Sequence, residues 1–180
     1  DEAGTTMTSI GDLNGDGKAE IIVGAPGNDS GGSNAGAVYV VWGKSTNSGV
    51  SLGSVAGGTG GFKILGDTGG DRIGKAIGTV ADLNGDGKSE ILIGSADSKI
   101  GGTNSGAVYV LFGKSTGTAV DLTTVANGTG GYVIKGVAQD MAGGAVAGLG
   151  DVNGDGKADI LVGAPRSDSA YVVFGKSTTT

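Results

Sequence analysis

Three short segments of the sequence place carboxylates and an amide at a spacing that could coordinate a metal ion. The first is Asp12–Glu20, DLNGDGKAE, and the pattern returns at Asp82–Glu90 and at Asp151–Asp159. Each segment has oxygen-bearing side chains at its positions 1, 3, 5 and 9, and a glycine at position 6 that permits a sharp turn. The backbone carbonyl of the lysine at position 7 can point inward. Ca²⁺ prefers such sets of hard oxygen ligands, so the sequence predicts three calcium sites.

The predicted ligands are four side chains and one lysine carbonyl in each loop: Asp12, Asn14, Asp16, Lys18 and Glu20; Asp82, Asn84, Asp86, Lys88 and Glu90; Asp151, Asn153, Asp155, Lys157 and Asp159. An EF-hand would need an acidic residue at position 12 and a following helix, but position 12 is Val23, Ile93 or Val162 in a β-branched run. A single copy is also compatible with a solvated hairpin turn. Three copies favour metal binding, because carboxylates held this close without a cation would repel one another.

The composition agrees with cation binding and excludes several other classes of function. The chain has 18 acidic and 12 basic residues, and nine of the acidic ones lie in the three loops. Three Ca²⁺ ions would therefore cancel the net charge of -6. The same acidic balance argues against nucleic acid as a partner. With no Cys and no His, the chain has no disulfide, no thiol or histidine catalyst and no zinc or haem site built on those residues.

Two features of the sequence bear on the context of the chain. No apolar run approaches the roughly 18 residues of a membrane span, so no transmembrane segment is expected. The chain begins with Asp1 rather than Met, which is typical of a processed product, an excised fragment or part of a longer protein.

The acidic loops belong to a longer internal repeat. They begin at residues 12, 82 and 151, so they lie 70 and 69 residues apart. GAVYVVWGKST at 36–46 recurs as GAVYVLFGKST at 106–116 and as SAYVVFGKST at 169–178. GTGGFKILG at 58–66 recurs as GTGGYVIKG at 128–136. A fixed long period predicts stacked units that bury their faces against neighbouring units.

Each unit is predicted to contain four short strands separated by Gly, Asn, Asp and Ser turns. In the second unit the strands are expected near Lys75–Ala81, Glu90–Ser95, Gly106–Gly113 and Tyr132–Gly136. No stretch has a convincing apolar period of 3.6 residues, so no helix is predicted. Four antiparallel strands repeated radially form the blade of a β-propeller, an all-β fold. The predicted blades are 1–66, 67–136 and 137–180, the last without its fourth strand, which makes eleven strands in all.

These motifs resemble the FG-GAP repeats of integrin α-subunit propellers and of their bacterial relatives. The GAP element matches residues 24–26 and 163–165 and weakens to GSA at 94–96, whereas the FG element is degenerate, as Ala3-Gly4, Ile73-Gly74 and Ala142-Gly143. The likeness between the first two units and the repeated GKST are more similar to bacterial members. The resemblance implies a calcium-binding propeller outside the cell or at its surface. It further implies a role in adhesion, protein interaction or extracellular assembly rather than catalysis.

The resemblance also implies that a protein or glycan ligand binds the face opposite the calcium loops. That face is formed by the loops 26–35 and 96–105 and by the inter-blade loops 67–73 and 137–142. The candidate partner-binding residues there are Asp29, Asn34, Asp71, Arg72, Asp97, Asn104, Asp140 and Arg166. Two other interpretations remain open: a lectin with sugar pockets between blades, and a non-catalytic accessory domain of a secreted hydrolase.

Three blades are too few to close a ring, since propellers have about four to eight. Three arrangements would complete the architecture. The chain could be part of a longer propeller, two copies could close a six-bladed ring, or a neighbouring subunit could donate the missing strand.

Overall fold

The computed structural model describes residues 1–175, which form three sheets that follow one another along the chain. The first sheet contains β1 (Thr6–Ile10), β2 (Glu20–Ala25), β3 (Ala37–Val41) and β4 (Gly61–Leu65). The second contains β5 (Ala76–Val80), β6 (Glu90–Ser95), β7 (Ala107–Leu111) and β9 (Gly131–Lys135), and the third contains β10 (Ala145–Gly148), β11 (Ile160–Ala164) and β12 (Ser169–Val173). Within each sheet these neighbouring strands are antiparallel. The predicted all-β, blade-like fold is confirmed.

One strand was not foreseen, and it joins two repeats. β8 (Val120–Asp121) lies in the second repeat but pairs in parallel with β4 of the first, as Ile64 with Val120 and Leu65 with Asp121. The described residues therefore contain twelve strands rather than eleven. The end of the third repeat, residues 176–180, lies outside the described residues.

The prediction that the chain has no helices is wrong. Two helices of five residues follow the third strands of the first two repeats, α1 (Leu52–Ala56) and α2 (Leu122–Ala126). A short 3₁₀ turn also spans Pro165–Ser167. The side chains of Ser51 and Asp121 cap the two helices by accepting hydrogen bonds from the backbone two residues on. Helices of this length contain too few turns to show a hydrophobic period.

The core lies between the sheets. One cluster joins the first and second sheets through apolar residues such as Val40, Phe62, Ile93 and Tyr109. A second cluster joins the second and third sheets. Because apolar residues on both faces of the second sheet are buried, its strands β6 and β7 are buried along their whole length. This is the packing expected of stacked blades.

Glycine is required where the fourth strand of a blade begins. Gly61 has φ +151°, and a Cβ atom there would lie 1.9 Å from the carbonyl oxygen of Val40. Gly131 repeats this arrangement in the second sheet, with φ +159° and a distance of 2.0 Å to the carbonyl oxygen of Val110. Any larger side chain would displace the neighbouring strand.

Candidate metal centres

The first residue of each acidic loop closes the loop by accepting backbone hydrogen bonds. Asp12 Oδ1 accepts from the N–H groups of Gly15 (2.6 Å) and Asp16 (3.0 Å), and its Oδ2 accepts from Gly17 (2.8 Å). These bonds, above all the one from Gly17, hold the pKa of the Asp12 carboxyl below its usual range. Asp82 and Asp151 make the same three bonds in their own loops. The local sequence alone therefore produces one loop conformation three times.

The residues at positions 3 and 5 continue this pattern. In the first loop, Asn14 Oδ1 accepts from the N–H of Asp16 at 2.8 Å, and Asp16 Oδ1 accepts from the N–H of Lys18 at 2.9 Å. The Lys18 ammonium lies 3.3 Å from Asp16 Oδ2, with both side chains well exposed. Such a surface ion pair contributes little to stability. The lysine side chain therefore leaves the loop carboxylates mostly uncompensated.

The acid at position 9 is buried at the start of the second strand of each sheet. Glu20 Oε2 accepts from the N–H of Leu13 at 2.6 Å, and burial raises the pKa of Glu20. Glu90 Oε2 accepts from the N–H of Leu83 at the same distance, but its Oε1 is buried without a hydrogen-bond partner among the described residues. Burial, reinforced by the charges of Asp86 and Asp82, raises the pKa of Glu90 to about 7, against the lowering effect of the N–H groups of Leu83 and Gly113, of which only Leu83 reaches full hydrogen-bond geometry. A buried, unpartnered carboxylate oxygen costs stability unless a cation or donor meets it.

In two of the loops the acidic side chains converge. Asp12, Asp16 and Glu20 each offer an oxygen, and these atoms lie within 4.8 Å of one another; the second loop groups its three acids equally closely. Within residues 1–175 no other group of three acids meets this distance. The donor set is entirely oxygen, and one of its atoms in the second loop is orphaned. Both features fit a hard divalent cation, so these two clusters could hold a metal.

The third loop differs at position 9. Asp159 is one methylene shorter than Glu20 and Glu90. Both of its carboxylate oxygens accept backbone hydrogen bonds, and they do so at shorter range than Glu20 Oε1, which accepts from the N–H of Gly43 at 3.4 Å. Asp159 Oδ2 accepts from Val152 and Asp159 Oδ1 from Gly175, each at 2.9 Å. The loop backbone is formed, but its three acids do not reach the convergence seen in the other two loops.

In the first two loops the residue at position 2 connects the loop to the next sheet, a feature that was not predicted from the sequence. Leu13 is only 1% exposed and packs in the cluster between the first and second sheets, while Leu83 is equally buried between the second and third. Val152 is 56% exposed. The leucine at position 2 could have predicted this contact, because an apolar side chain in so polar a loop needs a buried site.

The candidate partner-binding residues all lie at or near the loops of the opposite end, but their exposure differs. Arg72 and the loop residue Asn34 are joined through their backbones, since the N–H of Arg72 donates to the Asn34 carbonyl at 3.1 Å. Asp29, Asn34, Arg72 and Arg166 are exposed, Asp97 and Asn104 are half-buried, and Asp71 and Asp140 are buried. Burial raises the pKa of Asp71, and Asp140 Oδ2 lies 3.4 Å from the hydroxyl of Tyr171. The exposed members are the ones available to a partner.

No helix among residues 1–175 has the length and apolar character needed to cross a membrane.

Comparison with known families agrees with this geometry. The pattern of the FG-GAP repeat matches residues 4–41, 76–111 and 142–178, which together cover more than half of the chain. The chain therefore belongs to the FG-GAP repeat family. Each match contains one acidic loop and the strands on either side of it.

Several integrin α subunits are similar to the chain. It is 34% identical to integrin alpha pat-2 of Caenorhabditis briggsae over 117 residues, which cover 65% of this chain and 9% of that protein. It is 28% identical to integrin alpha-PS5 of Drosophila melanogaster over 172 residues (89% of this chain, 15% of that protein) and 31% identical to integrin alpha-4 of Xenopus laevis over 121 residues (63% and 11%). The chain thus spans a small part of the length of these relatives. The expected likeness to bacterial members stays a prediction.

Proposed function

We propose that the chain is a calcium-stabilised propeller module that acts outside the cell or at its surface in adhesion, protein interaction or extracellular assembly. The similarity to integrin α subunits supports the adhesive role. Both groups of three converging acids among residues 1–175 lie in the metal loops, which supports a role in binding rather than in catalysis.

The observation on which the proposal chiefly rests is the orphaned Oε1 of Glu90 beside the carboxylates of Asp82 and Asp86. A buried carboxylate oxygen without a donor, next to two further acids, is the arrangement that a bound Ca²⁺ would satisfy. The ion would offset two of the three negative charges of these acids. Asp82 closes the loop through its backbone hydrogen bonds, and Glu90 is buried from solvent. Leu83 joins the loop to the next sheet.

We extend the proposal to three Ca²⁺ ions, one for each loop. The third loop has the same backbone hydrogen bonds as the other two, which supports the same loop conformation for the ligands of positions 1, 3, 5 and 7. Asp159 would need to turn one oxygen away from Val152 or Gly175 to join them. Each bound ion would then stabilise one blade, and the proposed blades are residues 1–66, 67–136 and 137–180.

We propose that a protein or glycan ligand binds the face opposite these loops. Backbone hydrogen bonds from Gly70 to Ser33 and from Arg72 to Asn34 join the loops 26–35 and 67–73 into one surface. Asp29, Arg72 and Arg166 present charged side chains on that face. This face therefore carries both negative and positive side chains that a polar partner could contact.

Binding to the immobilised full chain tests this proposal. Extracellular protein and glycan arrays are probed in excess Ca²⁺ and again with EGTA. We expect a ligand whose binding is lost in the triple variant Asp29→Ala, Arg72→Ala, Arg166→Ala and kept, at saturating Ca²⁺, in the variant Lys18→Ala, Lys44→Ala, which removes charge at the calcium-loop end and keeps every ligand side chain. Loss of binding only in the second variant would place the ligand at the calcium loops and contradict the proposal.

A further inference from the structure

A glycine after the third strand of a sheet borders the acid at position 9 of that sheet's own loop. In the third sheet the N–H of Gly175 donates to Asp159 Oδ1 at 2.9 Å. In the second sheet the N–H of Gly113 acts on Glu90 from the same position in the repeat and lowers the pKa of its carboxyl. These glycines therefore form part of the wall around each cluster of acids.

The leucine at position 2 of the preceding loop packs against the same glycine. A Cβ atom on Gly113 would lie 3.1 Å from the carbonyl oxygen of Leu13, and a Cβ atom on Gly175 would lie 3.3 Å from Cδ1 of Leu83. Each contact crosses from one sheet to the next. The space is tight, because the same Cβ atom on Gly113 would also lie 2.5 Å from the Cβ atom of Lys88.

A second contact joins the first loop to the second. Gly11 directly precedes the first loop, and a Cβ atom there would lie 3.3 Å from the hydroxyl oxygen of Ser89. Ser89 in turn directly precedes the buried Glu90. The first loop therefore borders the position-9 acid of the second loop at two points, through Ser89 and through Gly113.

These contacts connect the candidate metal centres in series. The N–H of Leu13 donates to Glu20 Oε2, and the N–H of Leu83 donates to Glu90 Oε2. Each leucine is thus held by the acid of its own loop and packs on the glycine that borders the acid of the next loop. A cation that fixes Glu20 would also fix Leu13, and with it one wall of the site around Glu90.

We propose that neighbouring loops bind Ca²⁺ cooperatively, so that an ion in one loop raises the affinity of the next loop. This inference rests on the calcium sites proposed above. The first ion bears the loss of conformational entropy that orders the shared contacts, so the second ion binds more tightly, and the effect is reciprocal. Because the contacts join consecutive sheets, the first and third loops should be coupled only through the second.

Native mass spectrometry of the full chain during titration with Ca²⁺ tests the coupling. The variant Asp155→Asn, Asp159→Asn disables the third loop and keeps the first two, whose sequences DLNGDGKAE and DLNGDGKSE differ at one residue. The matched variant Asp86→Asn, Glu90→Gln disables the second loop and keeps the first and third, which are not neighbours. Both variants retain the aspartates that close the loops.

The fraction of chains that carry a single ion at half saturation measures the coupling. Two independent sites give a fraction of at least half, whereas a coupling of about tenfold between equal sites lowers it to about a quarter. We expect a fraction well below half when the first and second loops are intact, and half or more when the first and third are. In the unsubstituted chain, forms with one or two ions should together fall below about three quarters, the minimum for three independent sites.

Two substitutions locate the coupling. In the variant with the first two loops intact, Leu13→Val should raise the singly loaded fraction towards half, because it loosens the side chain that holds the Leu13 carbonyl against Gly113. Leu83→Val makes the same change at the interface with the third sheet and should leave the fraction unchanged.

Three outcomes would overturn the proposal. They are a singly loaded fraction of half or more with the neighbouring loops intact, equal fractions in the two loop variants, and equal effects of Leu13→Val and Leu83→Val. In each of them the chain still binds Ca²⁺, so the calcium proposal stands and only the coupling fails. An unsubstituted chain that binds no Ca²⁺ would contradict both.

Discussion

The backbone N–H of Leu13 donates to Glu20 Oε2 at 2.6 Å, and Leu83 and Glu90 repeat this bond at the same distance. In each pair the leucine side chain is buried against the next sheet, while the glutamate belongs to the acidic cluster. The bond therefore joins a candidate metal centre to an interface between sheets. Ordering of the loop and packing of the sheets should stabilise each other.

Leu13→Ala should lower the free energy of unfolding by about 2–5 kcal/mol, because it leaves a cavity between the first two sheets. Urea unfolding measures the change. The control is Val152→Ala at the same position of the third loop, where the side chain is mostly exposed and the change should be within about 0.5 kcal/mol. Equal losses in the two variants would show that Leu13 does not anchor its loop to the next sheet.

Glu90→Gln should change stability in opposite directions with and without calcium. In EGTA, glutamine removes the cost of a buried carboxylate and should leave the melting temperature equal or higher. In excess Ca²⁺, the variant lacks one anionic ligand and should melt below the unsubstituted chain. Asp97→Asn is the control, since it also removes one negative charge but lies away from the loops. A Glu90→Gln chain that gains as much from Ca²⁺ as the unsubstituted chain would exclude Glu90 as a ligand.

Gly61→Ala should destabilise the chain by about 2 kcal/mol or more, because its Cβ atom would collide with the carbonyl of Val40 in a backbone conformation that disfavours side chains. Gly49→Ala is the matched control, as a Cβ atom there meets nothing within 4 Å. It should be neutral or slightly stabilising. Thermal melting compares the two. Similar melting temperatures would mean that the fourth strand can shift to admit a side chain.

Asp71→Asn should raise the melting temperature at neutral pH. Burial raises the pKa of the Asp71 carboxyl above its ordinary value of 3.8, a shift only partly opposed by a hydrogen bond from Ser98. The folded chain therefore loses stability as the pH rises through that pKa, and the loss is absent below 3.8. Melting curves from pH 3.5 to 7 should show a gain that vanishes at the acidic end. A difference independent of pH would assign the effect to packing instead.

The strands and the acidic loops could be predicted because their signals are local and repeated. The hydrogen bonds of Asp12 to Gly15, Asp16 and Gly17 all lie within six residues, so the sequence of the loop determines its conformation. The β-branched run after each loop then predicts the second strand. One copy of the pattern is compatible with either a solvated hairpin turn or a metal-binding loop, whereas three copies favour the metal-binding loop.

The features that were missed depend on contacts between repeats. β8 contains two residues, Val120 and Asp121, and exists only because β4 of the preceding repeat offers an edge. Burial of Asp71 likewise follows from the meeting of loops from two repeats, which no local pattern reports. The spacing of Leu122 and Val125 after the capping Asp121 could have indicated α2, but only together with knowledge of the buried site that receives them.

Native mass spectrometry combined with thermal melting is the direct test of calcium binding by the acidic loops. We expect three Ca²⁺ ions on each chain and a melting temperature that falls by many degrees when EGTA removes them. A chain that binds no calcium and melts at the same temperature with and without EGTA would contradict it.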